Sequence, residues 1–473
     1  MKMDKLSDLK HLFVTVFLAN FALNVIPPAI TDITVGALCP SQDECSLAIY
    51  LSGFQQAILG LGSMMMLPLL GHLSDIYGRK ALLTVPVAAS IIPSVILAIG
   101  RSTNYFYAYY AVKTFTGMVS DNGIECLSIA YAAANISEEK RVSAIGFVAG
   151  IGSAASLLGT MAARFLSTAQ IFLVPFFSLN NFHFYLLLFG LLSCVRFHCV
   201  SKVAALSSMI ATIYMRIFVK ETTGRSDSET LNQPILIDNG AECSKSKSVS
   251  QSFKQVLPLK DIFCLLRSSV TLSLATVVAF LNGLGEGGQQ TPYLYFLKAR
   301  LRFNKDNFAV LMLIGYTGAA FGQLFLMPRL APITGEEAIL SLSCIAGFIS
   351  MLIVSIAWAV WVPYVANLLP IISFLTRPAL QSIVSKQVGP NEQGIAQGCI
   401  AGISSFGNIL SPLIYTPLTD LFLSEKAPFH YPGFNLFCVG LAWLIALIPS
   451  MMIQFGPRNS ELKIGDGGSS LDA

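Results

Sequence analysis

Long blocks of apolar residues alternate with short polar connections along the chain, and the blocks lack the strict polar/apolar alternation of a membrane barrel strand. A block of about 20 residues is the length of a membrane-crossing helix. Lipid offers no partner to a free backbone N–H or C=O, so each block must close its own hydrogen bonds as a helix. The pattern predicts spans at 11–38, 50–70, 81–100, 105–133 and 142–168, one or two segments within 171–219, and further spans at 268–297, 305–330, 335–357, 361–386, 393–422 and 430–455. That is roughly twelve crossings.

Composition points the same way. Hydrophobic residues make up 54% of the chain and charged ones 12%, with a mean hydropathy of +0.66, outside the range of soluble globular chains. A soluble enzyme is excluded, the lipid bilayer is the expected partner, and a net charge of +4 is too small to suggest nucleic acid. The opening MKMDKLSDLK has no small-residue cleavage site before a short apolar core, so the first span reads as retained and the N-terminus as cytosolic. The connections at 71–80, 134–141, 220–267, 331–334 and 387–392 and the C-terminal tail then share that side. Lys2, Lys5, Lys10, Arg79, Lys80, Lys140, Arg141 and the basic residues of the central loop fall there, against Arg101, Lys298, Arg300, Arg302, Lys305 and Lys426 opposite. This asymmetry favours both termini inside.

Residues 220–267 form the long polar connection, a flexible linker between hydrophobic halves at 1–219 and 268–456, with a tail at 457–473. SEEKRVSAIG at 137–146, after the fourth span, is echoed by PNEQGIAQG at 390–398, after the tenth. The expected architecture is an all-α membrane protein of two six-helix halves around a central cavity, with the solute site between the halves near mid-membrane. The Phe- and Leu-rich stretch at 171–200 is in excess of this plan. An odd number of spans would carry the basic linker to the other side, so the stretch reads as an insertion. It either forms a re-entrant or interfacial hairpin or displaces the short span at 203–219, and an insertion there could abolish transport.

Most of the ten cysteines stand singly in apolar spans, where Cys is a small hydrophobe. Cys39 and Cys45 lie in the non-cytoplasmic loop CPSQDEC, as a disulfide or as two free thiols. The sequon at Asn135 falls in a cytoplasmic connection and should stay unglycosylated. The five histidines are scattered, and the sequence calls for no metal or cofactor.

The sharpest local signal is GHLSDIYGRK, with Gly71, Asp75, Gly78, Arg79 and Lys80 at the spacing G-x-x-x-D-x-x-G-R-K. Two glycines permit a tight turn between close helices, and a carboxylate facing a helix N-terminus or an arginine makes a latch that forms in one conformation and breaks in another. This loop resembles the signature loop of the major facilitator superfamily, although Ile76 stands where a basic residue is usual. ECSLAIYLSGFQQAILGLGS, KALLTVPVAASIIPS, RFLSTA and YMRIFVKE resemble plant proteins related to the hippocampus-abundant-transcript and tetracycline-resistance-like transporters. The resemblance implies a proton-linked or facilitative carrier of small organic solutes. The drug-exporting subgroup has a Gly-Pro element in its fifth span, whereas GFVAGIGSAASLLG at 146–159 has no proline, which argues against drug antiport.

Ionisable residues within spans are costly unless they face a cavity or a partner. In span four Lys113, Gly117, Asp121 and Glu125 recur every fourth residue and share one slowly rotating face. Lys113-Thr-Phe-Thr-Gly117 resembles the superfamily's Arg-x-x-x-Gly. The stripe is either a relay in which Asp121 or Glu125 takes and gives a proton beside Lys113, or a structural ion pair, with Glu125 otherwise reaching the cytoplasmic interface. In span seven, LNGLGEGGQQTPY predicts an interrupted helix, with Glu286 as a second protonatable group or a solvated residue near the outer end. Gln289 and Gln290 resemble a Gln pair of sugar-carrying members, and read otherwise they are a gate without solute contact. Span one offers Asn20, Asn24 and Asp32 around a kink at Pro27-Pro28, with Asp32 equally readable as an interfacial carboxylate. Arg377 in span ten is a candidate anion contact or a snorkelling cation.

The resulting reading is a transporter of a small organic solute by alternating access, with protons as a candidate second partner. A transport-inactive receptor or scaffold of the same fold is the alternative, against which the short, simple linker argues. A membrane enzyme is the reading the sequence supports least, since HExxH, GxSxG, a Gly-rich phosphate loop and clustered histidines do not appear.

Overall fold

A computed structural model describes residues 9–28, 30, 34, 46–100, 102–176, 199–221, 266–289, 291–423 and 427–456. Asp32, Cys39, Cys45, Gln290 and most of 171–200 and of the linker lie outside them.

The regular elements are helices. They are α1 (Lys10–Val25), α2 (Ser46–Tyr77), α3 (Arg79–Ile99), α4 (Thr103–Ser120), α5 (Gly123–Asn135), α6 (Glu138–Phe176) and α7 (Cys199–Phe218), followed by α8 (Val270–Gly288), α9 (Thr291–Leu301) and α10 (Lys305–Phe321). A π turn (Gly322–Leu326) leads into α11 (Met327–Thr334), then α12 (Glu336–Ser355), α13 (Val362–Ala366), α14 (Pro370–Ser373), α15 (Thr376–Gln387), α16 (Gln393–Leu423) and α17 (Phe434–Phe455). Among the described residues ten runs are long and apolar enough to cross a membrane. Together with the shorter α1 and the broken row α4–α5 they make twelve rows among the described residues.

In the first half α1 packs on α6 and α7, and Leu12, Val16, Leu83, Leu127, Ile145 and Met215 form the core. Helix α7 thus occupies the sixth row. In the second half α8 packs on α16 and α17 and α12 on α17, around Phe296, Val354, Leu436 and Trp443. The turns after the second and eighth rows both pivot on a glycine at positive φ, Gly78 (98°) and Gly335 (79°), which a side chain would strain.

Apolar burial drives little between helices already in lipid, so contact between rows depends on close packing of small residues. On α16, Gly394 and Gly398 lie so near Gly71 and Leu67 of α2 that a Cβ at either would overlap the facing backbone, and Gly402 lies near Met64. Across the other seam, Gly146 and Gly150 of α6 face Met327 and Leu324.

The interruption expected within LNGLGEGGQQTPY is present, at Gln289 and not at its glycines. Helix α8 runs unbroken through Gly283, Gly285 and Gly287 to Gly288, and its interruption comes only at Gln289, before Thr291-Pro292. The glycines make room for Ser404, Trp443, Asn408 and Val439, so tertiary contact outweighs their low helix propensity.

Candidate solute and proton site between the halves

At the 71–80 face, Asp75 terminates α2 against the N-terminus of α16. Its Oδ1 accepts from Gly394 N (3.0 Å) and its Oδ2 from Ile395 N (2.9 Å), while Arg79 Nη2 lies 2.9 Å from Oδ1 and also donates to Pro390 O. A carboxylate across the first free amides of a helix is the arrangement its dipole favours. Gly71 and Gly78 supply the close approach and the turn, and Lys80 is half-buried beside them. On the other seam of this face, Arg141 Nη1 donates to Ser385 O (2.9 Å) at the end of α15, where the last carbonyls lack helical partners. These bonds close the 71–80 face.

Deeper in the bundle, Arg377 of α15 stands between two carboxylates. Glu125 of α5, in the first half, lies 3.6 Å from its Nη1, and Glu286 of α8, in the second, lies 3.9 Å from its Nε. Both distances exceed a hydrogen bond, so the attraction is Coulombic and neither carboxylate holds the guanidinium in a fixed fork. The three side chains are between a quarter and a third exposed (28%, 26% and 32%). Glu286 also accepts from Asn282 Nδ2 (2.8 Å), whose Oδ1 accepts from Trp443 Nε1 (3.1 Å). A small pocket beside Arg377 is lined by Asn282, Gln381 and Ser404 with Ala279, Leu380 and Ile400. Gln381 Oε1 is buried without a hydrogen-bond partner among the described residues.

The structure therefore brings Arg377, Glu125 and Glu286 together. Arg377 and Glu286 thus face each other, each about a quarter to a third exposed. The rest of the stripe divides: Lys113 Nζ lies 2.6 Å from Asp121 Oδ1 within the same row, the carboxylate folding back over Gly117. Asn20 and Asn24 donate to the carbonyls of Val16 and Asn20 and pack against Gly152 and Gly159 of α6. Gln289 is the half-buried residue that ends α8.

Sequence reasoning missed Asn282, although it stands four residues before Glu286, and it had no signal for Trp443 or Gln381. It also missed two bonds between the halves: Asn122 Nδ2 to Ser405 Oγ (3.3 Å), and Ser153 Oγ to Gln323 Oε1 (2.7 Å).

The profile of the Major Facilitator Superfamily matches residues 12–412. The chain belongs to this superfamily. Membership makes it a multi-pass membrane transporter rather than an enzyme. It is 22% identical over 431 residues to hippocampus abundant transcript 1 protein of Homo sapiens, covering 90% of this chain and 76% of that one. It is 23% identical over 413 residues to tetracycline resistance protein, class H, of Pasteurella multocida, covering 87% and 86%. The solved human organic anion transporter MFSD10 (TETRAN) superposes with a TM-score of 0.71 at 14% identity over 95% of this chain and 100% of that one, a likeness of fold.

Proposed function

We propose that this superfamily member carries a small organic solute bearing an anionic group by alternating access, in exchange for or together with a proton. The observation that carries the reading is one guanidinium, Arg377, shared by carboxylates from opposite halves. The three groups sum to a net charge of −1 when both carboxylates are ionised. One proton on either makes the group neutral and loosens that carboxylate's hold on Arg377, whose donors then serve a solute anion. Gln381 Oε1 beside it offers an acceptor to a donor on the same solute. The matched organic anion transporter is in keeping with such a substrate class.

The 71–80 face is the cytosolic one in this reading, as the distribution of lysine and arginine favours, with both termini on that side. The closed latch at Asp75 then corresponds to a cavity facing outward, and release of Gly394 and Ile395 to the opposite state.

Proteoliposomes with an imposed pH gradient test the proposal against a panel of carboxylates, sulfonates and neutral polyols of similar size. Gradient-dependent uptake of an anion that is lost in Arg377→Leu is expected. Uptake restricted to neutral solutes and indifferent to Arg377→Leu would refute it, and saturable binding without uptake would favour a receptor or scaffold.

A further inference from the structure

The contacts around Glu286 have a direction. An indole N–H can only donate, so Trp443 Nε1 fixes Asn282 with its carbonyl oxygen toward the ring, at 3.1 Å. The other end of the same amide must then present Nδ2 to Glu286, where it donates to Oε1 at 2.8 Å. Trp443 cannot swing away from this role. A Cβ on Gly285 of α8 would lie 2.7 Å from its ring and one on Gly347 of α12 would lie 3.0 Å from it, so two glycines clamp the indole between neighbouring rows. Asn282 and Trp443 are each about 3% exposed, which keeps water from replacing either bond.

Glu286 therefore receives a fixed donor and the field of Arg377, and a charged oxygen is the stronger acceptor for both. Glu125 has no such donor among the described residues; its partner is Arg377, on the opposite half. The titratable groups acting on that guanidinium are Glu125, Glu286 and Cys126, with Cys399 of α16 next to Cys126. Tyr415 of α16 packs at Gly288, the end of the helix that bears Glu286. Lys113 and Asp121 satisfy each other higher in the row of Glu125.

We infer that Trp443 and Asn282 are positioning residues that hold Glu286 as the standing anionic partner of Arg377, so that Glu125 is the carboxyl that takes up and releases the proton as the halves part and rejoin. The inference rests on the proposed sharing of Arg377, and it assigns unequal roles to two carboxylates that look alike in distance and exposure. Breaking the relay at the indole frees Asn282 to turn over and present its oxygen, which then favours a proton on Glu286.

Infrared difference spectra of the reconstituted protein, recorded while the pH is stepped from alkaline to acid, read carboxyl protonation directly and need no solute. In the unmodified protein a band of protonated carboxyl is expected that Glu125→Gln abolishes and Glu286→Gln leaves in place. Trp443→Phe should add a second band of comparable amplitude, removed by a further Glu286→Gln. Asn282→Leu, which deletes the donor at similar volume, should add the same band and stands in if the Trp443 variant does not fold. Loss of the original band in Glu286→Gln, or an unchanged spectrum in folded Trp443→Phe and Asn282→Leu, would overturn the assignment. Because no solute enters the measurement, such a result is distinct from a failure of anion uptake in liposomes.

Discussion

Replacing Asp75 by Asn tests the latch with almost no change of volume. Both carboxylate oxygens accept from backbone amides of α16, at 3.0 and 2.9 Å, and the side chain is 7% exposed, so water supplies little compensation. The amide keeps one acceptor and turns an NH2 group toward an N–H that also donates. One charge-assisted bond, worth about 1.5–3 kcal/mol, is lost, and the other falls to the strength of a neutral bond, about 1 kcal/mol weaker. Arg79, whose Nε has no hydrogen-bond partner among the described residues, is left with Pro390 O. If the bonds to α16 form only with this face closed, as the proposed latch requires, a loss of about 3 kcal/mol shifts the conformational equilibrium by roughly 100-fold toward the state in which it is open. Cys126 reports the shift. It is 2% exposed and packs with Leu67 of α2 and Ala401 of α16, at the seam that must part. In a protein retaining Cys126 as its sole cysteine, Asp75→Asn should accelerate maleimide labelling by up to that factor while insertion and helix content stay unchanged. Equal labelling rates in the two proteins would refute the latch.

Gly398→Ala places a methyl group against Leu67 O, where backbone must move, and should lower thermal stability by about 1–3 kcal/mol and raise Cys126 labelling as Asp75→Asn does. Glu125→Gln should retain solute exchange and lose accumulation driven by a pH gradient. Asp121→Asn should instead lower exchange and melting temperature together, because it strands Lys113, and both should recover in part when Lys113→Met is added. Asn135 should carry no glycan when expressed in a eukaryotic host, because its connection is cytosolic in the proposed orientation, a point that mass spectrometry of the peptide decides.

The rows of the fold were legible because lipid imposes one rule on every span, and the glycine turn at 71–80 because its residue types serve a local geometry. The charges were legible as costs. Lys113, Asp121, Glu125, Glu286 and Arg377 each stood out as ionisable groups in apolar surroundings. Their partners were not legible, since Asp75 meets amides more than 300 positions away and Glu125 meets Arg377 through the packing of α5, α15 and α16. The interruption of span seven was legible from its glutamines and proline, but the work of its glycines was not: in the bundle they admit Trp443 and the backbone of α16.

The π turn at Gly322–Leu326 amounts to one residue more than the α-helical path requires, and each residue of an α-helix turns it by about 100°. Everything beyond it in the eighth row is set out of phase with what precedes it. Phe321 and Phe325 are half exposed, while Met327 and Ala331, which follow the turn, are buried in the core they share with Val142 of α6. Forcing this turn into ordinary α-helix with all its residues kept would turn Met327 by about 100° off the seam, whereas deleting one residue would restore the helix and leave Met327 in place, so the packing of Met327 depends on the extra residue being absorbed here.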